Sequence, residues 1–330
     1  MFSDILGQKK AVNYLQKLVR EDRVPGALLF CGPDGVGKKK TALEFAKALT
    51  CEDVFARQEG QACGACASCQ AVDKGTHPDV TLVDFAYQAR LEMKEVPAED
   101  YEEEFEKTLA KQQHLKIDTI REAAARSQQK AVYGGWKVLI VDQAQLMQGP
   151  AANALLKFIE EPPAKTVWIL ITSKRAAMLG TILSRCQLLP FAPLQTAQVE
   201  QLVSACEPNV ADPARAARYS GGSVSGALKA AQALELLEAG GFGTPAGPGQ
   251  VAGSLSRTAA TARQEAQAVL DVLVSALHEQ WTRCDEPQRG ALQGLLSKFE
   301  NYKSCIGRNV SPALVLETAL MSLDGLNLKI

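Results

Sequence analysis

Apolar positions in the first 190 residues follow two alternating rhythms. Over residues 8–22 they return every three or four places, with Val12, Leu15, Leu18 and Val19 on one face. That spacing predicts an amphipathic helix. Ala27 to Cys31 is a short unbroken apolar run, and Thr41 to Leu49 resumes helical spacing. A strand is expected at 80–84. Lys137–Asp142 and Val167–Thr172 are apolar runs that suit strands of a parallel sheet buried on both faces. A helix over 151–161 is stopped by Pro162-Pro163. Strands alternating with helices predict a doubly wound α/β domain. From Pro193 the pattern is helical throughout. Residues 239–256 are rich in glycine and proline and read as a linker. Amphipathic segments follow near 259–281, 289–306 and 312–324, with Leu270, Leu273, Val274 and Leu277 marking the first.

Composition changes this picture little. A chain of 330 residues can hold two or three domains. A net charge of −1 gives no global basic field for gripping nucleic acid. No apolar run approaches the ~20 residues that span a bilayer. The N-terminus lacks the basic and apolar regions of a secretory signal, so the expected location is the cytoplasm. Residues 92–107 carry eight acidic residues and two lysines, which reads as a solvated helix or insertion.

Candidate chemistry begins after the first strand. Gly32-Pro33-Asp34-Gly35-Val36-Gly37-Lys38-Lys39 matches the phosphate-binding loop G-x-x-x-x-G-K-[ST] at all but its last defined position. Gly32, Gly35 and Gly37 let backbone N–H groups turn toward phosphate oxygens, and Lys38 reaches the β/γ phosphates. The last position should be a hydroxyl that holds Mg²⁺, yet it is Lys39. Asp142, at the end of a strand, is the candidate second metal-holding acid. Gln143 follows it where a water-polarising glutamate is usual, and an amide cannot act as a general base. Thr172 closes the next strand and is expected on the nucleotide side. The cradle leaves binding of ATP/Mg²⁺ open, while Lys39 and Gln143 both argue against hydrolysis. An active site would need Thr41 or water in place of the missing hydroxyl.

Four of the nine cysteines cluster as Cys51-x₁₁-Cys63-x₂-Cys66-x₂-Cys69. C-x₂-C turns bring thiolates to one tetrahedral ion, and four sulfurs with no open position predict a structural Zn²⁺. His77 stands close by, but His77-Pro78-Asp79 reads rather as a turn before a strand. A nucleic-acid-reading zinc module would carry more cations than Arg57, Lys74 and His77. Ser184-Arg185-Cys186 follows the strand at 167–172; by spacing alone Arg185 reads as a surface residue.

Several segments are familiar together. Ala151-Ala152-Asn153-Ala154-Leu155-Leu156-Lys157-Phe158-Ile159-Glu160-Glu161-Pro162-Pro163 closely resembles a segment of bacterial clamp-loader ATPases of the AAA+ superfamily. So do Thr181-Ile182-Leu183-Ser184-Arg185-Cys186, Gly75-Thr76-His77-Pro78-Asp79 and the cysteines inserted after the phosphate loop. The resemblance covers about residues 1–230. Length and the altered ATPase residues resemble the delta-prime branch more than the tau/gamma branch.

The resemblance implies an AAA+ α/β core at 1–191, a small helical lid at 192–237 and an all-α collar at 238–330. It implies assembly with tau/gamma and delta subunits into a pentamer, within the DNA-directed DNA polymerase III holoenzyme. That pentamer uses ATP to open the sliding clamp and place it on primer-template DNA. Delta-prime members are typically stator-like and do not hydrolyse ATP. Carried onto this chain, Arg185 acts in trans on a neighbour's ATP. Gly221-Gly222-Ser223-Val224-Ser225 lacks the sensor arginine of active relatives. The segment 86–112 is longer than usual for the family.

Overall fold

The computed structural model describes residues 1–330 apart from 94–99, 134, 307–309, 324–325, 327 and 329. The chain forms two compact units, Met1–Pro193 and Leu194–Ile330.

The first unit is built on five parallel strands: β1 (Ala27–Cys31), β2 (Val80–Val83), β3 (Lys137–Val141), β4 (Thr166–Thr172) and β5 (Gln187–Pro190). Their order is β2-β3-β4-β1-β5. The unbroken apolar runs are explained by burial on both faces. Leu28, Phe30, Val138, Ile140, Val167 and Ile169 point into one core, closed by Val12, Leu15 and Leu18 of helix Lys9–Glu21 and Phe45 of helix Lys38–Thr50. Leu29, Leu139, Val141, Trp168 and Leu170 point the other way. There Ile120 of helix Ile117–Gln128 and Leu155 and Ile159 of helix Gly149–Glu160 cover them. Each large aliphatic side chain so buried contributes about 1.5–3 kcal/mol. Strand β5 and helix Ile117–Gln128 carry too few apolar residues in a row to stand out in the sequence. Residues Gln187–Pro190 form an edge strand with only Leu189 buried, and Pro190 is tolerated at such an edge.

Register brings the chemistry to one edge. Val83 pairs with Val141, so Asp84 and Asp142 leave neighbouring strands side by side. Cys31 pairs with Thr172, so the glycine loop leaves β1 level with the end of β4. Ligands of open parallel sheets bind outside this carboxyl edge.

The acidic segment partly forms helix Tyr101–Lys111, none of whose residues is buried, in keeping with a solvated helix. Its residues 94–99 lie outside the described residues.

In the second unit, Leu194, Val199, Val203, Ala216, Ala217, Ala227 and Ala231 form one small core. Leu234, Leu237, Val269, Leu270, Leu273, Leu277, Phe299 and Leu316 belong to a larger one. Helix Val224–Ala239 serves both, turning Ala227 and Ala231 to the first and Ala230, Ala233 and Leu237 to the second. The expected linker at 239–256 is not one. It contains helix Gly247–Gly253, with Val251 and Ala252 buried. A side chain on Gly240 would lie 2.3 Å from Val251 Cγ2, and one on Gly247 2.5 Å from the Gly241 carbonyl. These glycines permit close packing of backbone, which composition alone reads as flexibility.

Candidate functional site

The phosphate loop has the backbone that its glycines promise. Gly37 caps helix Lys38–Thr50 at φ +94°, a conformation that side chains resist, and Gly35 is also left-handed at φ +73°. A Cβ on Gly32 would stand 2.3 Å from the Phe191 carbonyl. The Gly32 N–H donates to the Thr172 carbonyl at 3.2 Å, fixing the loop to β4. Lys38 is buried, and its Nζ donates to the carbonyls of Gly32 (2.6 Å) and Pro33 (2.5 Å), with Asp34 at 3.8 Å. Burial lowers its pKa, opposed by Asp34. The lysine is thus held at the loop, where a phosphate would compete with two carbonyls for its protons.

Lys39 is the decisive departure. Its ammonium lies 3.0 Å from Asp84 Oδ2 and 3.3 Å from Asp142 Oδ2. Burial pulls its pKa down, but Asp84 and Asp142 outweigh that and raise it above the ordinary lysine value. It therefore stays charged at neutral pH. The second oxygen of each acid is also engaged. Asp84 Oδ1 accepts from the Tyr87 N–H at 2.9 Å, capping helix Phe85–Glu92, and Asp142 Oδ1 accepts from the Gln143 N–H at 3.0 Å. A Mg²⁺ ion does not fit this donor set while Lys39 is in place, because a cation already stands between the carboxylates. Thr41 offers no substitute hydroxyl: it is fully buried and donates to the Gly37 carbonyl at 2.8 Å.

The remaining nucleotide-side residues gather at the same edge. Gln143 is exposed and left-handed at φ +50°. Thr172 is 1% exposed, and its hydroxyl accepts from the Lys174 N–H at 3.1 Å. Sequence reading brought out Gly32, Gly35, Gly37, Lys38, Lys39, Asp142 and Thr172 but missed Asp84. The signal was present: Asp84, like Asp142, is an acid directly after an apolar strand. A separate cleft of about 900 Å³ in the helical unit, lined by Lys229, Glu235, Arg263, Asp271 and Lys303, contains none of the expected site residues.

Arg185 lies in the turn between helix Gly180–Leu183 and β5. Its guanidinium spans both oxygens of Glu160, with Nε 3.2 Å from Oε2 and an Nη 3.3 Å from Oε1. It also donates to the Thr181 carbonyl at 3.1 Å. Glu160 ends helix Gly149–Glu160, so two of the family-like segments meet in this pair.

The four cysteine sulfurs lie within 4.8 Å of one another. Tetrahedral zinc with Zn–S bonds of about 2.3 Å sets sulfurs about 3.8 Å apart, and Cys51 and Cys66 are at 4.0 Å. Cys51 follows helix Lys38–Thr50, Cys66 caps helix Ala67–Asp73, and Gly64 makes the turn between Cys63 and Cys66 at φ +73°. Backbone N–H groups of Cys63, Cys66 and Cys69 donate to the sulfurs of Cys51, Cys63 and Cys66 at 3.3, 3.3 and 3.4 Å. Such donors favour thiolate. The N–H groups of Ala65 and Cys66 bring Cys63 down to about 7, whereas burial raises Cys51 and Cys69. The buried pair needs a cation to ionise, and the donor set fits a structural zinc ion. His77 is not a ligand: its Nδ1 accepts from the Asp79 N–H at 3.0 Å and its Nε2 meets Ser68 Oγ at 3.1 Å.

Residues 7–195 match the family described as DNA polymerase III, delta subunit. The chain belongs to the delta-prime family of clamp-loader subunits. It is 34% identical over 193 residues to DNA polymerase III subunit delta' of Bacillus subtilis, covering 58% of this chain and 50% of that protein. It is 36% identical over 160 residues to the Pseudomonas aeruginosa subunit delta', covering 48% and 41%. It is also 30% identical over 200 residues to the Haemophilus influenzae tau/gamma subunit, covering 61% and 25%. The chain thus spans at most half the length of these curated relatives. A gamma subunit-related protein of Thermotoga maritima shares its fold, with 18% identity, a TM-score of 0.53, and 94% and 97% of the two chains covered. The parallel core and helical second unit thus share the fold of that gamma subunit-related protein. Among the described residues of this chain, no helix is long and apolar enough to cross a membrane.

Proposed function

We propose that this chain is a stator-like subunit of a bacterial clamp loader, silent as an ATPase, that lends Arg185 to a neighbour's active site. The observation that carries the first half is Lys39, whose ammonium is bound by both strand-end acids. Divalent metal, hydroxyl ligand and general base are the parts a phosphoryl-transfer site requires. The first is displaced by Lys39, the second is absent at that position, and the third is replaced by Gln143. Ser225, in the first turn of helix Val224–Ala239, adds no sensor arginine.

In this reading residues 192–237 act as the lid and 238–330 as the collar that joins tau/gamma and delta subunits in a pentamer in the cytoplasm. The assembled loader opens the sliding clamp and sets it on primer-template DNA. The zinc ion shapes the core without taking part in chemistry. Arg185 is supported as the finger by its exposed turn and by its place in the Ser-Arg-Cys segment. The Glu160 contact holds the guanidinium extended and loaded with hydrogen bonds until a γ-phosphate competes for it.

The test is Arg185→Ala in the reconstituted loader. Assembly should be unchanged and DNA-stimulated ATP turnover should fall. A finger is worth on the order of 10³-fold at one site, and several sites per complex dilute the observed loss. Unchanged turnover in a verified pentamer would remove this role.

A further inference from the structure

We propose that the Lys39 ammonium is a built-in replacement for the divalent cation of this loop, so that the loop takes a nucleoside diphosphate with no metal ion. The geometry of the carboxyl edge carries this. Lys39 is the second residue of helix Lys38–Thr50, directly after the cradle. From there its Nζ reaches 3.0 Å from Asp84 and 3.3 Å from Asp142, which come from two different strands. Acids at these strand ends would otherwise steady a hydrated cation beside the phosphates. Here each spends one oxygen on the ammonium and the other on a backbone N–H. An entering divalent ion would meet Lys38 and Lys39 as like charges and would have to displace Lys39 from both acids.

The phosphate-holding parts remain intact. The left-handed Gly35 and Gly37 shape the loop, and Lys38 is buried at its base. The N-terminus of a helix longer than three turns adds its partial positive charge. Charge then selects the ligand. An ammonium supplies one positive charge where a divalent cation supplies two, beside the same pair of carboxylates. A third phosphate would bring its charge toward Asp84 and Asp142 with too little to balance it. Asp84 and Asp142 already hold the charge of Lys39, which leaves Lys38 and the loop N–H groups for the phosphates, and two phosphates bring less uncompensated charge there than three. The same deficit removes the Lewis acid that would stabilise charge in phosphoryl transfer, so ligand binding and chemical silence have one cause.

This deepens the reading of the loop as inert and rests on it, but the two fail separately. The experiment is calorimetric titration of the full chain with ADP and with ATP, in excess Mg²⁺ and in chelator-free buffer cleared of Mg²⁺ beforehand, which leaves the zinc in place. Wild type should bind ADP without Mg²⁺ at least as tightly as with it, and ATP more weakly than ADP. Lys39→Thr restores the hydroxyl and frees both acids, so its ADP affinity should become at least about tenfold tighter with Mg²⁺ than without. Lys38→Ala should abolish binding in either condition, placing the ligand at the loop. Unchanged zinc content and melting temperature confirm that the variants are folded. Wild-type binding that requires Mg²⁺, or no binding of either nucleotide in either condition, would overturn the proposal. ATP turnover would instead overturn the inert reading, whatever the titration shows.

Discussion

Lys39 Nζ stands 3.3 Å from Asp142 Oδ2, so the residue that should carry a metal-binding hydroxyl is itself the cation on the strand-end acid. Asp84 shares it at 3.0 Å. The pairing has a structural consequence of its own. Lys39→Met would leave two neighbouring carboxylates, 22% and 17% exposed, without their shared countercharge. Lys39 is 42% exposed, so solvent screens part of the effect, and a loss of about 1–2 kcal/mol is expected. Adding Asp84→Asn to that variant removes the like-charge contact and should restore part of the loss. Urea melts of the single and double variants check this. A double variant no more stable than Lys39→Met would show that the acids do not repel.

The cysteine cluster should bind one zinc ion per chain and lose it to a strong chelator. Removal should lower the melting temperature, because Cys51 and Cys69 are buried and link the phosphate-loop helix to helix Ala67–Asp73. Cys63→Ser should abolish stoichiometric zinc, whereas Cys206→Ser, at an exposed cysteine outside the cluster, should not. Elemental analysis with thermal melting reads both.

These two sites differ in how legible they were. Spacing alone identified all four cysteines, because metal ligation is carried by local C-x₂-C turns. The strands were likewise visible, since burial on both faces leaves unbroken apolar runs such as Val138–Val141. Asp84 was not read as a partner of Lys39, because the contact spans 45 positions and depends on β2 lying next to β3. Glu160 was quoted only as part of a motif, although it binds Arg185 25 positions away. The glycines of 240–249 misled in the other direction. Their role is to let backbones touch, and composition does not separate that from looseness.

Asp79 illustrates a residue that is structural despite lying in a family-like segment. It is 2% exposed and accepts from the N–H groups of Val132 (2.9 Å) and Tyr133 (3.1 Å), with buried Lys137 at 3.9 Å. Asp79→Ala would leave two amides without their acceptor and Lys137, which still donates to the Arg126 and Lys130 carbonyls, without its countercharge, and should cost about 3 kcal/mol. Denaturation midpoints measure the loss. A drop below 1 kcal/mol, on the order of an exposed pair, would mean that water replaces the carboxylate.

The Arg185–Glu160 pair should tune the proposed finger. Glu160→Gln weakens the hold on the guanidinium by up to about 1 kcal/mol, the range for a partly exposed pair. If Arg185 must leave Glu160 to reach a neighbour's phosphate, ATP turnover of the reconstituted loader should rise, by at most about fivefold. A loss as deep as that of Arg185→Ala would instead make Glu160 essential for aiming the arginine.

The central claim is that the phosphate loop of this clamp-loader subunit does no chemistry. The most direct measurement is ATP turnover by the purified chain in Mg²⁺, for wild type and Lys38→Ala side by side. Both should show the same background rate. Turnover at an ordinary ATPase rate in wild type that disappears in Lys38→Ala would contradict it.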